Sequence, residues 1–151
     1  MHILTTVMQM KTNKELLSSL LKTTQMGQLG IRSVLDATLS PSLRQELTKQ
    51  LHEYDTIETE AHTIATSRGW EVEELDPGAQ MLARMMVKAR LHGGGTDSKV
   101  ADMVIQGNTK GMIKGLKNLH HSNLTDQQIH ILSQKLLDCE TANIQRLQPF
   151  L

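Results

Sequence analysis

Two glutamates and a histidine are the residues of this chain whose types and positions could do metal chemistry. Glu58 and Glu140 fall near the middle of two predicted helices, on faces otherwise made of apolar residues, and His62 follows Glu58 by one helical turn. Carboxylate and imidazole groups at one level of a helical domain could bind iron or another divalent ion. A divalent metal ion is therefore the one cofactor that the sequence leaves open.

The donor set is incomplete for a two-metal site. Carboxylate proteins built on helical bundles take a glutamate from each of two helices and a Glu-x-x-His pair from each of the other two. Here Ala61 stands three positions after Glu58, and Asn143 stands three positions after Glu140, so neither pair exists. No nucleophile is spaced to use these groups. The sequence therefore favours a protein that is not an enzyme.

Further polar residues interrupt the apolar faces of the predicted helices at about the same height. They carry hydroxyl, phenol and amide groups and lie at Thr24, Gln28, Tyr54, Asn108 and Asn143. Buried carboxylates that accept hydrogen bonds from such groups are tolerated in a core and can fix the register of helices. We therefore favour a central polar layer held together by hydrogen bonds, with a single bound metal ion as the alternative.

Capping signals place the first two helices. Thr12 and Glu15 have the spacing of a capping box, which begins the first helix. Its apolar periodicity runs to the "SPS" sequence at 40–42, where Ser40 caps the second helix and Pro41 takes its first position. The second helix is predicted to stop at Gly69.

The same signals divide the second half of the chain. The sequence "DPG" at 76–78 begins a short helix, Thr96 or Asp97 caps a fourth one, and "TDQQ" at 125–128 opens the last. No strand-like alternation occurs. The predicted fold is one all-α domain over 1–151, an up-down-up-down antiparallel four-helix bundle with the short helix inserted between the second and the last two long helices. Residues 1–11 form an N-terminal segment before it.

Three glycines recur four apart in the fourth helix, at Gly107, Gly111 and Gly115. Each glycine in a helix interior costs about 1 kcal/mol relative to alanine, so another interaction must offset them. Lysines at 110, 114 and 117 exclude the membrane dimer that small residues at this spacing otherwise suggest. We predict close packing of a neighbouring helix there, with a slot for a small ligand as the alternative.

The short helix concentrates methionines on an amphipathic sequence, at Met81, Met85 and Met86. Methionine side chains adapt to irregular surfaces and are common where partners bind. The helix either covers one end of the bundle or contacts a protein partner or a second copy of the chain.

Composition excludes several classes of function. Sixteen basic residues balance sixteen acidic ones, and the only aromatic residues are Tyr54, Trp70 and Phe150, which argues against a nucleic-acid partner. A single cysteine, Cys139, excludes an internal disulfide and suits a reducing compartment. Without a signal peptide or a transmembrane segment in the sequence, we expect a soluble cytoplasmic protein.

Three blocks of the sequence resemble a known family. "HEYDTIETEAHTIATSRG", "DSKVADMVIQGNTKGMIKGLKNLHH" and "SQKLLDCETANIQRLQPFL" are similar to uncharacterised bacterial helical proteins regarded as ferritin-like four-helix bundles. A vaguer similarity links them to coat-F-type proteins of spore formers. The resemblance spans about Lys14 to Leu151 and implies the bundle fold but no activity. Together these observations predict a non-enzymatic binding or interaction protein, with a metal-binding protein using Glu58, Glu140 and His62 as the alternative.

Overall fold

The computed structural model describes residues 11–122 and 126–151, and over these ranges the protein is all-helical. The predicted N-terminal segment lies outside the described residues except for Lys11, which forms an isolated β-bridge with Ser122. The helices are α1 (Asn13–Val34), α2 (Pro41–Arg68), α3 (Pro77–Arg90), α4 (Asp97–His120) and α5 (Gln127–Leu147), with a 3₁₀ turn at Gln148–Phe150.

Most helix starts follow the capping signals. The Thr12 hydroxyl accepts from the Glu15 amide at 3.2 Å, and the Glu15 carboxylate accepts from the Thr12 amide at 3.4 Å, which completes the predicted capping box. Ser40 and Thr96 each accept, at 3.2 Å, from the backbone amide three residues later. These bonds satisfy amide groups that the helix itself leaves without acceptors.

The first helix is shorter than predicted. It ends at Val34 instead of continuing to the residues before Ser40, and the Ala37 amide closes a turn by donating to the Val34 carbonyl at 3.0 Å. The Ser40 amide then donates to the Asp97 carboxylate of α4 at 2.9 Å. This long-range bond helps fix the α1–α2 connection against the start of α4, which the apolar periodicity of the segment does not reveal.

The last helix is capped by Asp126, whose carboxylate accepts from the amides of Gln128 and Ile129 at 3.0 and 3.3 Å. The predicted cap, Thr125, lies outside the described residues. Asp126 also pairs with Arg68 at the end of α2, at 2.9 Å. The pair joins the start of α5 to the end of α2.

The long helices pack around a shared apolar core. Helix α1 packs against α2 and α4, α5 packs against the same two helices, and α1 also contacts α5. Each fully buried leucine in this core contributes roughly 1.5–3 kcal/mol. Helix α3 packs on α1 and contributes no buried residue. None of the described helices has a stretch long and apolar enough to cross a membrane.

Candidate functional site

Three buried polar side chains meet in the core, one each from α2, α4 and α5. The Tyr54 hydroxyl lies 2.6 Å from Asn108 Oδ1 and 3.3 Å from Glu140 Oε2, and each of the three residues is only 2% exposed. A phenol has one hydrogen to donate, and the shorter contact assigns it to Asn108. We call Tyr54, Asn108 and Glu140 the polar triad.

Burial favours the neutral form of the carboxyl group of the triad. Burial raises the pKa of Glu140 from 4.5 to about 8, and the contact with Tyr54 opposes this rise only in part. The Tyr54 hydroxyl is also the donor in the longer contact with Glu140 Oε2, and a bond donated to the carboxyl group favours its charged form. Burial and the proximity of Glu140 also raise the pKa of Tyr54, so the phenol stays neutral.

Two atoms of the triad are left without partners. Asn108 Nδ2 and Glu140 Oε1 are buried, and neither forms a hydrogen bond with any part of the protein that the structure describes. A buried polar group without a partner costs about 1–3 kcal/mol. Of these two atoms, Asn108 Nδ2 can donate a hydrogen bond and Glu140 Oε1 can accept one.

A cavity of about 400 Å³ reaches this triad from the space between α1, α3 and α4. At about 30 Å³ per water in the liquid, this volume corresponds to roughly a dozen water molecules or a ligand with a similar number of non-hydrogen atoms. The cavity walls are largely apolar and include Ile31, Val34, Met86, Val87, Met103 and Val104. The arrangement is a largely apolar cavity whose lining includes the three residues of the polar triad.

Two glycines make room for the triad. A Cβ atom at Gly27 of α1 would lie 2.5 Å from the Tyr54 ring, and one at Gly111 of α4 would collide with the Glu140 carboxyl group. Both positions therefore allow a side chain from another helix to lie directly against the backbone. Gly27 is not among the predicted packing glycines, although Gly30 stands one turn after it in the same helix.

The predicted close packing applies to only part of the glycine series. At Gly115 a Cβ atom would lie 3.0 Å from Leu137 of α5, which is a close contact. At Gly107 a Cβ atom would meet nothing within 4 Å, because Gly107 lines the cavity. Close helix packing is thus wrong at Gly107, where open space takes its place.

The three predicted metal ligands are not brought together. Glu58 accepts hydrogen bonds from Gln25 and Gln28 of α1, at 3.2 and 3.3 Å, while His62 lies at the surface with Nε2 2.8 Å from Glu74. Among residues 11–122 and 126–151, no group of three His, Cys, Asp or Glu side chains is arranged to hold a metal ion. The predicted set fails because Glu58 faces glutamines of α1 whereas Glu140 contacts Tyr54.

The remaining members of the predicted polar layer are buried but bonded elsewhere. Gln28 donates to Asp55 at 2.8 Å, and the Thr24 hydroxyl donates to the carbonyl of Leu20 at 2.8 Å. Neither side chain is hydrogen-bonded to the triad. The predicted layer is therefore divided into separate groups.

On the α5 side of the triad, Asn143 and Cys139 both contact Glu53. With its amide nitrogen turned toward α2, Asn143 donates to Glu53 Oε2 at 3.2 Å, and the Cys139 thiol donates to the same oxygen at 3.2 Å. Burial and Glu53 raise the pKa of Cys139 to about 12, so it remains a thiol. Gln50, one turn before Tyr54, is a fully buried polar residue that the sequence reasoning missed, although it stands within the apolar stripe of α2.

The methionines of α3 lie at the surface. Met81, Met85 and Met86 are 66%, 61% and 58% exposed, and Met86 also lines the cavity. The idea that this face contacts a protein partner or a second copy stays a prediction.

Comparison with protein-family models, with curated proteins and with solved structures finds no significant match for this chain. A function for this protein therefore has to be inferred from its own residues and their geometry.

Proposed function

We propose that this protein is a ferritin-like four-helix bundle that binds a small molecule in the cavity between α1, α3 and α4, without catalysing a reaction. The packing of α1 and α5 against both α2 and α4 supports a bundle of four long helices. The sequence resemblance to uncharacterised bacterial bundle proteins agrees with it.

The observation that carries the binding proposal is the cavity itself, whose largely apolar lining includes the three residues of the polar triad. More than nine-tenths of buried polar groups in native proteins have a hydrogen-bond partner. Asn108 Nδ2 and Glu140 Oε1 lack one among the described residues, and both side chains line the same cavity. A bound molecule would bury the apolar walls, as small-molecule sites of this size commonly do.

The chemical groups at the base favour binding over catalysis. They are a phenol, an amide and a carboxyl group that burial keeps neutral, which recognise polar atoms but do not include an activated nucleophile. The Cys139 thiol has its pKa raised to about 12 and does not line the cavity. Recognition is therefore the chemistry that the site supports best.

Filling the cavity from Gly107 tests this proposal. Since a Cβ atom there meets nothing within 4 Å, Gly107→Leu would place its side chain in the open space. The replacement also removes a helical glycine, so we expect unchanged or slightly higher stability, by up to about 1 kcal/mol. Gly107→Ala is the matched control, because it makes the same backbone change and adds only one methyl group.

The probe for this test is 1,10-decanediol, an uncharged molecule of about the size of the cavity. A modest ligand efficiency of about −0.4 kcal/mol per non-hydrogen atom gives a Kd on the order of 0.1–1 mM, which calorimetry can measure. Methyl NMR signals of Met86 and Met103, which line the cavity, should shift, while that of Met81 should not. Absence of binding to the wild type, or equal binding to Gly107→Leu, would contradict the proposal.

A further inference from the structure

Helix α3 turns an apolar face to solvent. Four large apolar side chains, each between 58% and 66% exposed, share about 140° of its circumference, and we call them the methionine face: Met81, Leu82, Met85 and Met86. The opposite side of the helix, with Ala83 and Val87, is half-buried. Contiguous exposed apolar residues mark an interaction surface, unlike apolar residues scattered singly.

Basic residues lie along both edges of the methionine face. Helical periodicity places Arg84 and Lys88 beside Met81, and Arg90 beside Met86. All three basic side chains are exposed, and none forms a hydrogen bond or an ion pair with another residue that the structure describes. The other arginines of the chain each donate to a carboxylate or a carbonyl group, and they are Arg32, Arg44, Arg68 and Arg146. The positive charges of α3 are thus left for something outside the bundle.

Most of the acidic residues just before α3, at 71–76, are engaged elsewhere. Glu73 pairs with a lysine of α1 at 2.6 Å, and Glu74 lies 2.8 Å from a histidine nitrogen of α2. The Asp76 carboxylate caps α3, and only Glu71 is exposed without such a contact. Helix α3 itself contains no acidic residue, so its three cations are not offset within the helix.

A second copy of the chain does not suit the methionine face. When two such helices pack face to face, the edges of one helix meet the edges of the other, in parallel and in antiparallel orientation alike. Because both edges of α3 are basic, cations would oppose cations, and this disfavours the contact. The charges instead suit an occupant that joins an apolar interior to a negatively charged surface.

We propose that α3 docks on the surface of an anionic lipid bilayer, with the methionine face below the head groups and with Arg84, Lys88 and Arg90 at the lipid phosphates. Amphipathic helices with basic residues on their polar side bind membranes in this way, at a depth of about 5–10 Å. A helix with its side chains is about 10–12 Å across, so a depth of about 5 Å takes in its outer half. Helix α3 is placed for this because it packs on α1 and contributes no buried residue.

Cosedimentation with vesicles tests the proposal. One set of vesicles contains phosphatidylcholine alone, and the other contains phosphatidylcholine and phosphatidylglycerol in equal parts. Each basic residue near an anionic surface strengthens binding about fivefold. Since acidic side chains such as Glu71 oppose part of this attraction, we expect an affinity at least about tenfold higher for the anionic vesicles. The preference should shrink at 1 M salt, where charges are screened within about 3 Å.

Two double variants assign the charge effect to α3. Arg84→Gln/Lys88→Gln should lose most of the preference for anionic vesicles. The matched control is Lys49→Gln/Lys117→Gln, which removes the same net charge from exposed positions on α2 and α4 and should keep the preference. All four positions are exposed, so both variants should unfold at the urea midpoint of the wild type.

A third double variant tests the apolar contribution. Met81→Gln/Met85→Gln keeps the length and the helix propensity of the side chains but makes them polar, so it should bind anionic vesicles at least about tenfold more weakly. Ile131→Gln replaces a residue that is 65% exposed on α5, and it should bind them as the wild type does.

The outcomes separate this inference from the proposed function. Equal binding to both kinds of vesicle would overturn it, as would an α3 charge variant that binds like the wild type. Absence of binding to either kind would also overturn it and would leave an acidic protein segment as the occupant to test. A dimer in light scattering that Met81→Gln/Met85→Gln dissociates would assign the face to a second copy instead. The substituted residues of α3 do not line the cavity, so binding of 1,10-decanediol should be the same in these variants and is judged by its own test.

Discussion

Replacing Glu140 by glutamine should remove a pH dependence of stability that its burial creates. In the folded protein the pKa of Glu140 is about 8, compared with an ordinary value of 4.5. The folded state therefore holds a proton that the unfolded state releases between these two pH values. Because folding takes up this proton, the stabilisation is fully present below pH 4.5 and is lost as the pH rises toward 8 and above.

The expected size follows from the same two pKa values. Within this window, each pH unit changes the free energy of unfolding by at most about 1.4 kcal/mol for one proton. From pH 5.5 to 7.5 the wild type should therefore lose about 2–3 kcal/mol of stability relative to Glu140→Gln. The glutamine side chain has nearly the same shape and does not titrate, so its variant should lack this component.

Urea unfolding of both proteins at several pH values measures the effect. The titrating groups that the two proteins share contribute equally and cancel in the difference between their free energies of unfolding. Glu71→Gln, which replaces an exposed carboxylate outside the core, provides the baseline. A difference between wild type and Glu140→Gln that does not change with pH would refute the reasoning. It would mean that the carboxyl group is not held in the buried, neutral state described above.

Two further substitutions test the packing of the polar triad. Gly111→Ala should lower stability by about 1–2 kcal/mol, because the Glu140 carboxyl group must move, whereas Gly107→Ala should raise it by up to about 1 kcal/mol in open space. Equal urea midpoints for the two variants would contradict this difference. Tyr54→Phe should cost about 1–3 kcal/mol, since Asn108 Oδ1 loses its donor, and an unchanged midpoint would show that this bond contributes nothing.

Local signals in the sequence determined where most helices begin. The caps at Thr12, Ser40 and Thr96 involve bonds to residues only three positions away, so their residue types and spacing suffice to predict them. The end of α1 at Val34 was missed, because the chain there turns toward a partner in α4, Asp97, that lies far along the sequence. Helical periodicity could not anticipate this bond.

Helical periodicity also identified Tyr54, Asn108 and Glu140 as polar residues on buried faces, and all three are buried. It could not decide their partners, because these depend on how each helix is rotated and shifted against the next. Glu58, one turn after Tyr54, is bonded to α1 instead of joining Glu140. The expected set of metal ligands was wrong for this reason.

The glycines of α4 show most directly what tertiary structure alone decides. Gly107 and Gly111 are the same residue type one turn apart, and nothing local distinguishes them. A side chain of α5 lies against Gly111, whereas the space beside Gly107 is open to the cavity between α1, α3 and α4. The sequence alone determined that α4 carries a strip without side chains, and only the packing of the other helices decided which part of the strip is filled.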